Sequence, residues 1–443
     1  MKTELTLRTR REFLRTAALG GALTWTVPAF LSNTFAALHA AAADSATQAV
    51  TGRDDTILVV LQMAGGNDGL NTLVPFGNDH YRRARARIGL KPEQVLKLND
   101  TLGLHPALAG FKALFDAGQL GIVQGVGYPN PNRSHFRSTE IWQTASDANK
   151  FERYGWIGRY FDNTCKGCDP TIGVNIGRQM PQAFASSQPV GVSLDNPQNY
   201  RFLSGDRTGM TDESFRELNQ PDDLAAMDAG GDNAGGTVAS ISGAAMHAGS
   251  ALDFLERTAM DAQISSDKIL AVSNKVQNQA VYPASQIANS LKLVARLIGG
   301  GLPTRIFYVS QGGYDTHTNQ MPTQDRLLRE LGDSVKAFLD DVKAQGNLGR
   351  VLVMTFSEFG RRVAENANNG TDHGAGGLMF LAGGKFKAGL LGSHPSLASA
   401  DLVNGDLRFS TDFRSVYAGV LERWLRTKSA PVLGRQFPLL DFV

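Results

Sequence analysis

The sequence predicts an α/β protein built on a mostly parallel central sheet with helices on both faces. Continuous apolar runs such as residues 57–63 and 350–356 are typical of strands that are buried on both faces. Segments with apolar side chains at helical spacing separate these runs, and such alternation favours a parallel sheet. The 48 glycines among the 443 residues suit many tight turns between strands and helices.

In the first half of the chain, two apolar runs predict the strands that open the sheet. The run 57–63 ends abruptly at Gly65-Gly66-Asn67-Asp68-Gly69, which predicts a buried strand followed by a tight turn. The run 120–126 predicts the next strand, because prolines within residues 128–132 end it. The other elements predicted in this half are helices at 106–117 and 133–145 and strands at 171–176 and 189–194.

The second half contains the clearest helical pattern. Apolar residues recur at helical spacing along residues 323–345 and predict a long helix between strands at 305–310 and 350–356. The Gly- and Ala-rich segment 227–243 predicts a loop. The other elements predicted in this half are helices at 244–275, 283–299 and 413–425 and a strand at 378–381.

Residues 1–43 resemble a twin-arginine signal peptide. Arg10 and Arg11 form a paired-arginine region, a moderately apolar stretch follows, and small residues cluster at 40–43, where a signal peptidase could cut. A membrane anchor is the alternative, but two threonines and a proline make the stretch weakly apolar for retention. We therefore expect the twin-arginine translocase to carry the protein to the periplasm or the cell exterior.

The rest of the chain is predicted to be a linker and one domain. Residues 44–55 are small and polar, as in a linker, and residues 56–443 form the α/β domain with a helical or loop insertion at about 200–300. After residue 43 no segment offers the roughly 18 consecutive apolar residues of a membrane helix. We therefore expect no stable membrane span in the mature protein.

The charge balance excludes some classes of partner. The chain has 44 basic and 42 acidic side chains, and its net charge is +2. Proteins that bind nucleic acid or an anionic membrane through electrostatics carry a stronger basic excess. The composition therefore predicts neither nucleic acid nor a membrane surface as a partner.

The two cysteines, Cys165 and Cys168, are separated by two residues. In an oxidising compartment this spacing predicts a small local disulfide, while a redox pair remains an alternative. A zinc site is disfavoured, because no second pair of Cys or His lies nearby in the sequence.

Metal-capable or nucleophilic side chains directly follow several predicted strands, and one more precedes a strand. Because ligands bind outside the carboxyl ends of strands in open α/β sheets, we expect these side chains to converge. Carboxylates and neutral imidazoles bind Zn²⁺ or Mn²⁺, and oxygen-rich sets also suit Mg²⁺ and Ca²⁺. The pattern therefore predicts one or two divalent ions. The predicted metal ligands are Asn67, Asp68, Asp315, His317, Glu358 and His373.

Ser134 is the candidate nucleophile. At a helix start it faces unpaired backbone N–H groups and a partial positive charge, which stabilise a phosphate or sulfate group. Coordination to a metal would activate its hydroxyl. Arg133 and Arg137 flank Ser134 and are predicted to pair with an oxyanion, and His135 completes the predicted catalytic set.

Each of these residues alone also has a structural explanation. Asn67 and Asp68 favour tight turns, and Ser134 is a good helix N-cap. Glu358 could cap a helix, and His135 could be a surface or core histidine. The repeated placement of ligands after strands is what favours a metal or anion site over these explanations.

Taken together, five motifs make the chain similar to the bacterial family called domain of unknown function 1501, which belongs with the alkaline-phosphatase-like and sulfatase proteins. The resemblance extends from about residue 55 to about residue 440 and implies an alkaline-phosphatase-like α/β fold. The motifs are Gly65-Gly66-Asn67-Asp68-Gly69-Leu70-Asn71, Arg133-Ser134-His135-Phe136, Gly313-Tyr314-Asp315-Thr316-His317, Ser357-Glu358-Phe359-Gly360-Arg361 and Thr371-Asp372-His373-Gly374.

The resemblance implies roles for individual residues. In the wider group a metal-binding carboxylate ends the first strand, which would be Asp68 or the neighbouring Asn67. The nucleophile begins a helix after the second strand, and Ser134 matches it. A later strand and a final histidine supply one metal site, which implies that Asp315, His317 and His373 bind the first ion.

The chain departs from the group at Phe359, because Glu358-Phe359 stands where the group has Asp-His. A phenyl ring cannot bind a metal. The second metal site is therefore weakened, uses other ligands such as Asn67 or His135, or is absent.

Two functions follow from the resemblance. The first is an exported metal-dependent hydrolase of a phosphate or sulfate ester, with Ser134 as nucleophile and a small-molecule or polymeric substrate. The alternative is a non-catalytic binding or assembly protein on the same fold with a degenerate metal site, which Phe359 favours.

Overall fold

The computed structural model describes residues 56–165, 168–187, 190–198, 265–440 and 442. The signal peptide and linker predicted for residues 1–55 lie outside the described residues. So do the loop predicted at 227–243 and most of the predicted insertion at about 200–300.

A nine-stranded mixed sheet forms the centre of the molecule, and every strand predicted in the described residues is present. Eight strands follow the order β11-β5-β10-β9-β1-β8-β6-β7, and β12 pairs with β5. Only β10 is antiparallel to its neighbours. The strands are β1 (Ile57–Met63), β5 (Leu120–Gly127), β6 (Gly173–Ile176), β7 (Val192–Leu194), β8 (Ile306–Gln311), β9 (Val351–Phe356), β10 (Gly377–Gly383), β11 (Gly389–Leu391) and β12 (Thr411–Asp412). The prediction of a mostly parallel sheet is confirmed.

Three short strands form a separate antiparallel sheet that the sequence analysis did not predict. They are β2 (Leu73–Val74), β3 (Leu96–Lys97) and β4 (Gly103–Leu104), in the order β2-β4-β3. Two-residue strands leave no periodic pattern in a sequence, so pattern reading does not find them.

The predicted helices lie close to their predicted positions, while the helices Gly69–Thr72, Asp79–Ala84, Trp156–Thr164 and Ser429–Leu433 were not predicted. The helix predicted at 133–145 begins at His135 and the one predicted at 323–345 begins at Gln320, which are ordinary shifts of element ends. A π-helical turn, Val420–Trp424, follows the helix that begins at Phe413. The helices are α1 (Gly69–Thr72), α2 (Asp79–Ala84), α3 (Ala109–Asp116), α4 (His135–Thr144), α5 (Trp156–Thr164), α6 (265–275), α7 (Gln286–Gly299), α8 (Gln320–Ala344), α9 (Phe413–Gly419) and α10 (Ser429–Leu433).

Helices cover both faces of the sheet. Along β1, Val59 and Leu61 point into a core shared with α3, α7 and α8. Leu58 and Val60 point into a second core shared with α4, α5 and α9. All of β1 is buried, because successive side chains of a strand point to opposite faces and both faces are covered. Among the described residues, no helix is long and apolar enough to cross a membrane.

The antiparallel direction of β10 brings one more loop to the functional end of the sheet. Parallel strands β1, β8 and β9 end at the same edge. Because β10 runs against β9, the residues just before it lie at that edge too. His373 precedes β10 and therefore reaches the rim where the loops after the parallel strands begin.

The predicted disulfide is present, since Cys165 and Cys168 are paired.

His105 is a buried titratable group away from the rim. Its side chain is buried, its Nδ1 accepts a hydrogen bond from the N–H of Ala107, and its Nε2 has no hydrogen-bond partner among the described residues. Burial lowers the pKa of His105 to about 4, against a smaller opposing influence of Asp325. The folded protein therefore keeps this imidazole neutral where an unfolded chain would protonate it.

We expect His105 to make the protein less stable in acid. Between about pH 6.5 and pH 4 the unfolded state binds the proton and the folded state does not, so the free energy of unfolding rises with pH there. The shift corresponds to about 3 kcal/mol lost once the pH falls below 4. In His105→Asn the amide oxygen can still accept from Ala107, and urea unfolding at several pH values should give a flatter pH dependence. The exposed His80→Asn serves as control, and equal slopes in the wild type and His105→Asn would contradict this expectation.

Candidate metal centre

The loops at the carboxyl ends of three parallel strands meet the start of α4 at one rim of the sheet. The turn after β1 brings Gly65, the loop after β8 brings Asp315, and the loop after β9 brings Glu358. Direct contacts join them, since the N–H of Gly65 donates to Glu358 at 2.8 Å and His135 of α4 contacts both acidic side chains.

Three imidazoles surround the carboxylate of Asp315. The Nε2 atoms of His317 and His373 lie 3.1 and 3.0 Å from Oδ1, and they lie 2.9 Å from each other. The Nε2 of His135 lies 3.4 Å from Oδ2. The ligand atoms of His135, Asp315 and His373 all lie within 4.8 Å of one another. We call these four residues the histidine–aspartate cluster.

The opposite nitrogen of each ring fixes its tautomer. The Nδ1 of His135 lies 2.8 Å from Glu358 Oε1, and that of His317 lies 3.1 Å from Asp372 Oδ1. The Nδ1 of His373 lies 2.9 Å from the carbonyl oxygen of Arg133. A carboxylate or carbonyl oxygen can only accept, so we assign the proton of each neutral ring to Nδ1. Carboxylate and carbonyl partners of this kind orient metal-binding histidines in proteins.

With the protons on Nδ1, the Nε2 lone pairs of neighbouring rings face one another and the carboxylate of Asp315. Burial lowers the pKa of His373, so its ring is neutral at pH 7 and its Nε2 is an acceptor. The Nε2 of His135 is buried and has no hydrogen-bond partner in the part of the chain that the structure describes. Nitrogen and carboxylate acceptors at this spacing repel unless a cation lies between them. Tetrahedral zinc with bonds of about 2.0–2.1 Å separates its ligand atoms by about 3.3 Å, and the distances of 2.9–3.4 Å within the cluster match that. His135, Asp315 and His373 therefore fit one divalent ion, and His317 lies next to two of them.

Asp315 is ionised over the whole ordinary pH range. Partial burial works to raise its pKa, but the hydrogen bond and the positive charge of Arg361 outweigh that effect and lower the pKa to about 2. Its side chain remains 47% exposed, and that of His317 remains 41% exposed. The cluster therefore opens to solvent and is accessible to a substrate.

The buried side chain of Arg361 ties the rim loops together. Its guanidinium donates 2.8 Å to the carboxylate of Asp315 and also donates to four backbone carbonyls. The side chain itself is fully buried. The carbonyls belong to Gly65, Gly66, Tyr314 and Thr371. One rigid planar group thus joins the loops after β1 and β8 to both ends of the loop between β9 and β10.

Two glycines allow the loops to approach this closely. Gly65 has φ +122°, and a Cβ there would lie 2.4 Å from the backbone nitrogen of Asp315. Gly66 has φ +80°, and a Cβ there would lie 2.3 Å from the ring of Phe359. Both positions need a residue without a side chain, for conformation and for space. The Gly-Gly pair is therefore part of how the cluster is assembled, as well as a tight turn.

Phe359 packs against the cluster. Its ring centroid lies 4.5 Å from that of His373 and 4.9 Å from that of His135, and the side chain is buried. The phenyl ring provides an apolar wall beside two imidazoles and no metal ligand.

Glu358 supports the cluster from behind. Its Oε1 accepts from both the N–H of Gly65 and His135 Nδ1, and its Oε2 is buried without a hydrogen-bond partner. The carboxylate was predicted to be a metal ligand. In the structure it contacts the Nδ1 of His135, the ring nitrogen that faces away from Asp315, and there it orients the ring.

Asp68 and Asn67 were also predicted ligands, and the structure directs their side chains elsewhere. Asp68 caps α1 and forms an ion pair with Arg85 in which both side chains are buried, and Gln320 donates to the same carboxylate. The side-chain oxygen of Asn67 accepts from the hydroxyl of Thr72 at 3.0 Å. The described contacts of Asp68 and of this oxygen include no member of the cluster. The turn after β1 therefore contributes backbone contacts to the rim.

Ser134 lies at the start of α4 between two residues that contact the cluster. The carbonyl of Arg133 holds His373, and His135 is itself a member of the cluster. Ser134 is exposed, and as N-cap residue of α4 it makes no side-chain capping hydrogen bond. Its hydroxyl is thus free of the structural role that the sequence offered as the alternative.

The two flanking arginines are engaged by other groups. Arg137 donates to the carbonyls of Asp147, Ala148 and Lys150, forms an ion pair with Glu140, and lies over the ring of Phe151. These contacts fix the loop after α4, and they correct the prediction that Arg137 is available to an oxyanion. Arg133 forms an ion pair with Asp406, yet its side chain stays 42% exposed.

Sequence reasoning missed three residues of the rim. They are Arg361, Asp372 and Asp406. Arg361 and Asp372 stand inside quoted motifs, so the motifs were the available signal, but burial of an arginine is not visible in a sequence. Asp406 lies in a segment that carried no prediction, and nothing in the sequence marks it.

The comparisons with known proteins give a family. The family model described as "Protein of unknown function (DUF1501)" matches residues 55–434. A search of the curated proteins finds no match.

Solved structures similar to this chain share little sequence with it. The C-terminal periplasmic domain of EcEptC from Escherichia coli, in complex with Zn, is 11% identical to this chain with a TM-score of 0.34. The match covers 75% of this chain and 73% of the EcEptC chain. A protein in the alkaline phosphatase superfamily from Vibrio parahaemolyticus has 10% identity and a TM-score of 0.36, with 92% and 77% covered. The lipoteichoic acid synthase LtaP from Listeria monocytogenes has 7% identity and a TM-score of 0.35, with 83% and 78% covered.

Removing the arginine that joins the loops should destabilise the protein strongly. In Arg361→Met the four carbonyls that the buried guanidinium binds lose their hydrogen-bond donor. The free energy of unfolding should therefore fall by about 3 kcal/mol or more. Arg329→Met on the exposed face of α8 removes a surface ion pair, where at most about 0.5 kcal/mol is expected. Urea unfolding of both variants tests this, and equal losses would refute the role given to Arg361.

Proposed function

The chain belongs to the DUF1501 family, and from this premise we propose that it is an exported, metal-dependent hydrolase of a phosphate or sulfate ester. The observation that carries the proposal is the histidine–aspartate cluster, in which three Nε2 lone pairs and a carboxylate face one another. Export is proposed from the paired arginines of residues 1–43.

One divalent ion would be held by His135, Asp315, His317 and His373. Three imidazole nitrogens and one carboxylate oxygen suit Zn²⁺, and Mn²⁺ after it, better than Mg²⁺ or Ca²⁺. Such an ion supplies Lewis-acid polarisation of an ester oxygen and lowers the pKa of a hydroxyl. We propose a single ion, because Asp68 is committed to Arg85 and Phe359 offers no donor.

The chain's own groups would bind and position the ester. The first-turn N–H groups of α4 point away from the helix beside Ser134, and they favour a tetrahedral oxyanion. The Ser134 hydroxyl makes no capping bond, and its oxygen would attack the phosphorus or sulfur atom as the bond from that atom to the ester oxygen breaks. The hydroxyl proton would leave with the alcohol, and water would then release phosphate or sulfate from the serine. Glu358 and Asp372 hold the rings of His135 and His317 in the tautomer that directs Nε2 to the centre.

The alternative function, a binding protein with a degenerate metal site, is supported by Phe359. Its ring fills the space beside His135 and His373 where a further ligand was expected. The two functions differ in Ser134, which matters for hydrolysis and is dispensable for binding an ion.

We expect the purified protein to bind one equivalent of Zn²⁺ or Mn²⁺ through the cluster. Each of His135→Ala, His317→Ala, His373→Ala and Asp315→Ala should weaken binding by at least about a hundredfold, beyond the effect typical of outer-shell residues. Equilibrium dialysis with elemental analysis measures this, with His80→Ala on exposed α2 as control. A folded protein that binds no ion, or that binds it equally in the variants, would exclude the metal centre.

We expect Ser134→Ala to abolish hydrolysis without affecting metal content. Loss of a nucleophile typically lowers kcat by several orders of magnitude, so on the order of a thousandfold or more is expected with aryl phosphates, diesters or sulfates. Thr139→Ala on the same helix is the matched control. If Ser134→Ala hydrolyses the esters at the wild-type rate, Ser134 is not the nucleophile. If the metal-loaded wild type hydrolyses no ester of any class, the hydrolase proposal fails and the alternative binding function is supported.

A further inference from the structure

Asp406 holds two arginines at the edge of the metal centre. Its side chain is only 3% exposed, and it forms ion pairs with Arg133 through Oδ2 and with Arg362 through Oδ1, the latter at 3.4 Å. Arg133 and Arg362 keep 42% and 37% of their side chains exposed. We call these three residues the arginine clasp.

A rigid turn fixes the clasp. Val403 and Asp406 exchange two backbone hydrogen bonds of 3.0 Å across Asn404 and Gly405, which both have positive φ. Asn-Gly at these positions is the preferred sequence for such a two-residue turn. The carbonyl of Asn404 also accepts from the guanidinium of Arg362. Little conformational entropy is therefore left for the clasp to lose when a ligand binds.

The clasp is joined directly to the metal centre. The carbonyl of Arg133 accepts from His373 at 2.9 Å. On the other side, the N–H of Arg362 donates to the carbonyl of Asp372 at 3.0 Å, and the carboxylate of Asp372 holds His317 at 3.1 Å. The two guanidiniums thus belong to backbone segments that position two members of the histidine–aspartate cluster.

The charges of the clasp do not cancel. Two guanidiniums share the carboxylate of Asp406, which leaves one positive charge within the clasp. Asp372, a further carboxylate that interacts with Arg362, is engaged by His317 and Asn366. An arginine with open N–H groups in a fixed position is suited to a phosphate or sulfate oxygen. Asp406 is too buried to repel a ligand at the surface by direct contact.

We propose that the arginine clasp is a second anion subsite, and that the substrate carries at least one phosphate or sulfate group besides the one that reacts. This inference rests on the proposed hydrolase function and narrows its substrate class to polyanionic esters. Asp406 is then a positioning residue that sets the distance between the two anion sites.

The test is calorimetric titration of the full mature protein with a monosulfated and a disulfated disaccharide. The wild type should bind the disulfated probe about tenfold more tightly, as one charge-assisted hydrogen bond allows. Arg362→Gln should lower the affinity for the disulfated probe about tenfold more than the affinity for the monosulfated probe, and so remove this preference, while Arg362→Lys should keep part of the preference. Arg326→Gln on exposed α8 is the control with the same change of charge.

Two results would overturn the subsite. A wild type without preference for the disulfated probe excludes it, and so does an Arg362→Gln protein that keeps the preference. Repeating the titration in His317→Ala separates this inference from the hydrolase proposal. If that background keeps an Arg362-dependent preference while the metal-loaded wild type hydrolyses no ester, the subsite stands and the hydrolase proposal fails.

Discussion

The position of one buried guanidinium sets the geometry of the whole rim. Arg361 lies in the loop between β9 and β10, and it donates to the backbone of two other loops, to Thr371 farther along its own loop, and to the carboxylate of Asp315. A buried arginine is stable only when its donors are satisfied, so these loops must stay at hydrogen-bonding distance. Gly65 and Gly66 permit that approach, and the histidines gather around the carboxylate that Arg361 fixes.

The electrostatics of the cluster follow from this arrangement. Arg361 keeps Asp315 ionised, and an oxygen acceptor lies behind the Nδ1 atom of each ring, so that in the neutral rings the Nε2 atoms face the carboxylate of Asp315. These four residues are the cation site that we propose. The start of α4 and the arginine clasp place positive potential beside it, which suits a substrate that carries more than one negative charge.

The fold and half of the site follow from simple rules applied to the sequence. Buried strands reveal themselves as apolar runs, and the rule that ligands follow strands found Asp315 and His317. Side-chain direction is what sequence could not supply. Asp68 stands at the expected strand end, yet it turns toward Arg85, which lies in an arginine-rich stretch that looks solvent-exposed in sequence. Arg361 went unassigned for the same reason, because its role depends on burial.

We propose that three imidazoles and one carboxylate bind one ion, and X-ray absorption spectroscopy of the zinc-loaded protein tests this most directly. We expect a first shell of nitrogen and oxygen at about 2.0–2.1 Å with outer-shell scattering from three imidazole rings. A spectrum with oxygen ligands alone, or with fewer than two imidazoles, would contradict it.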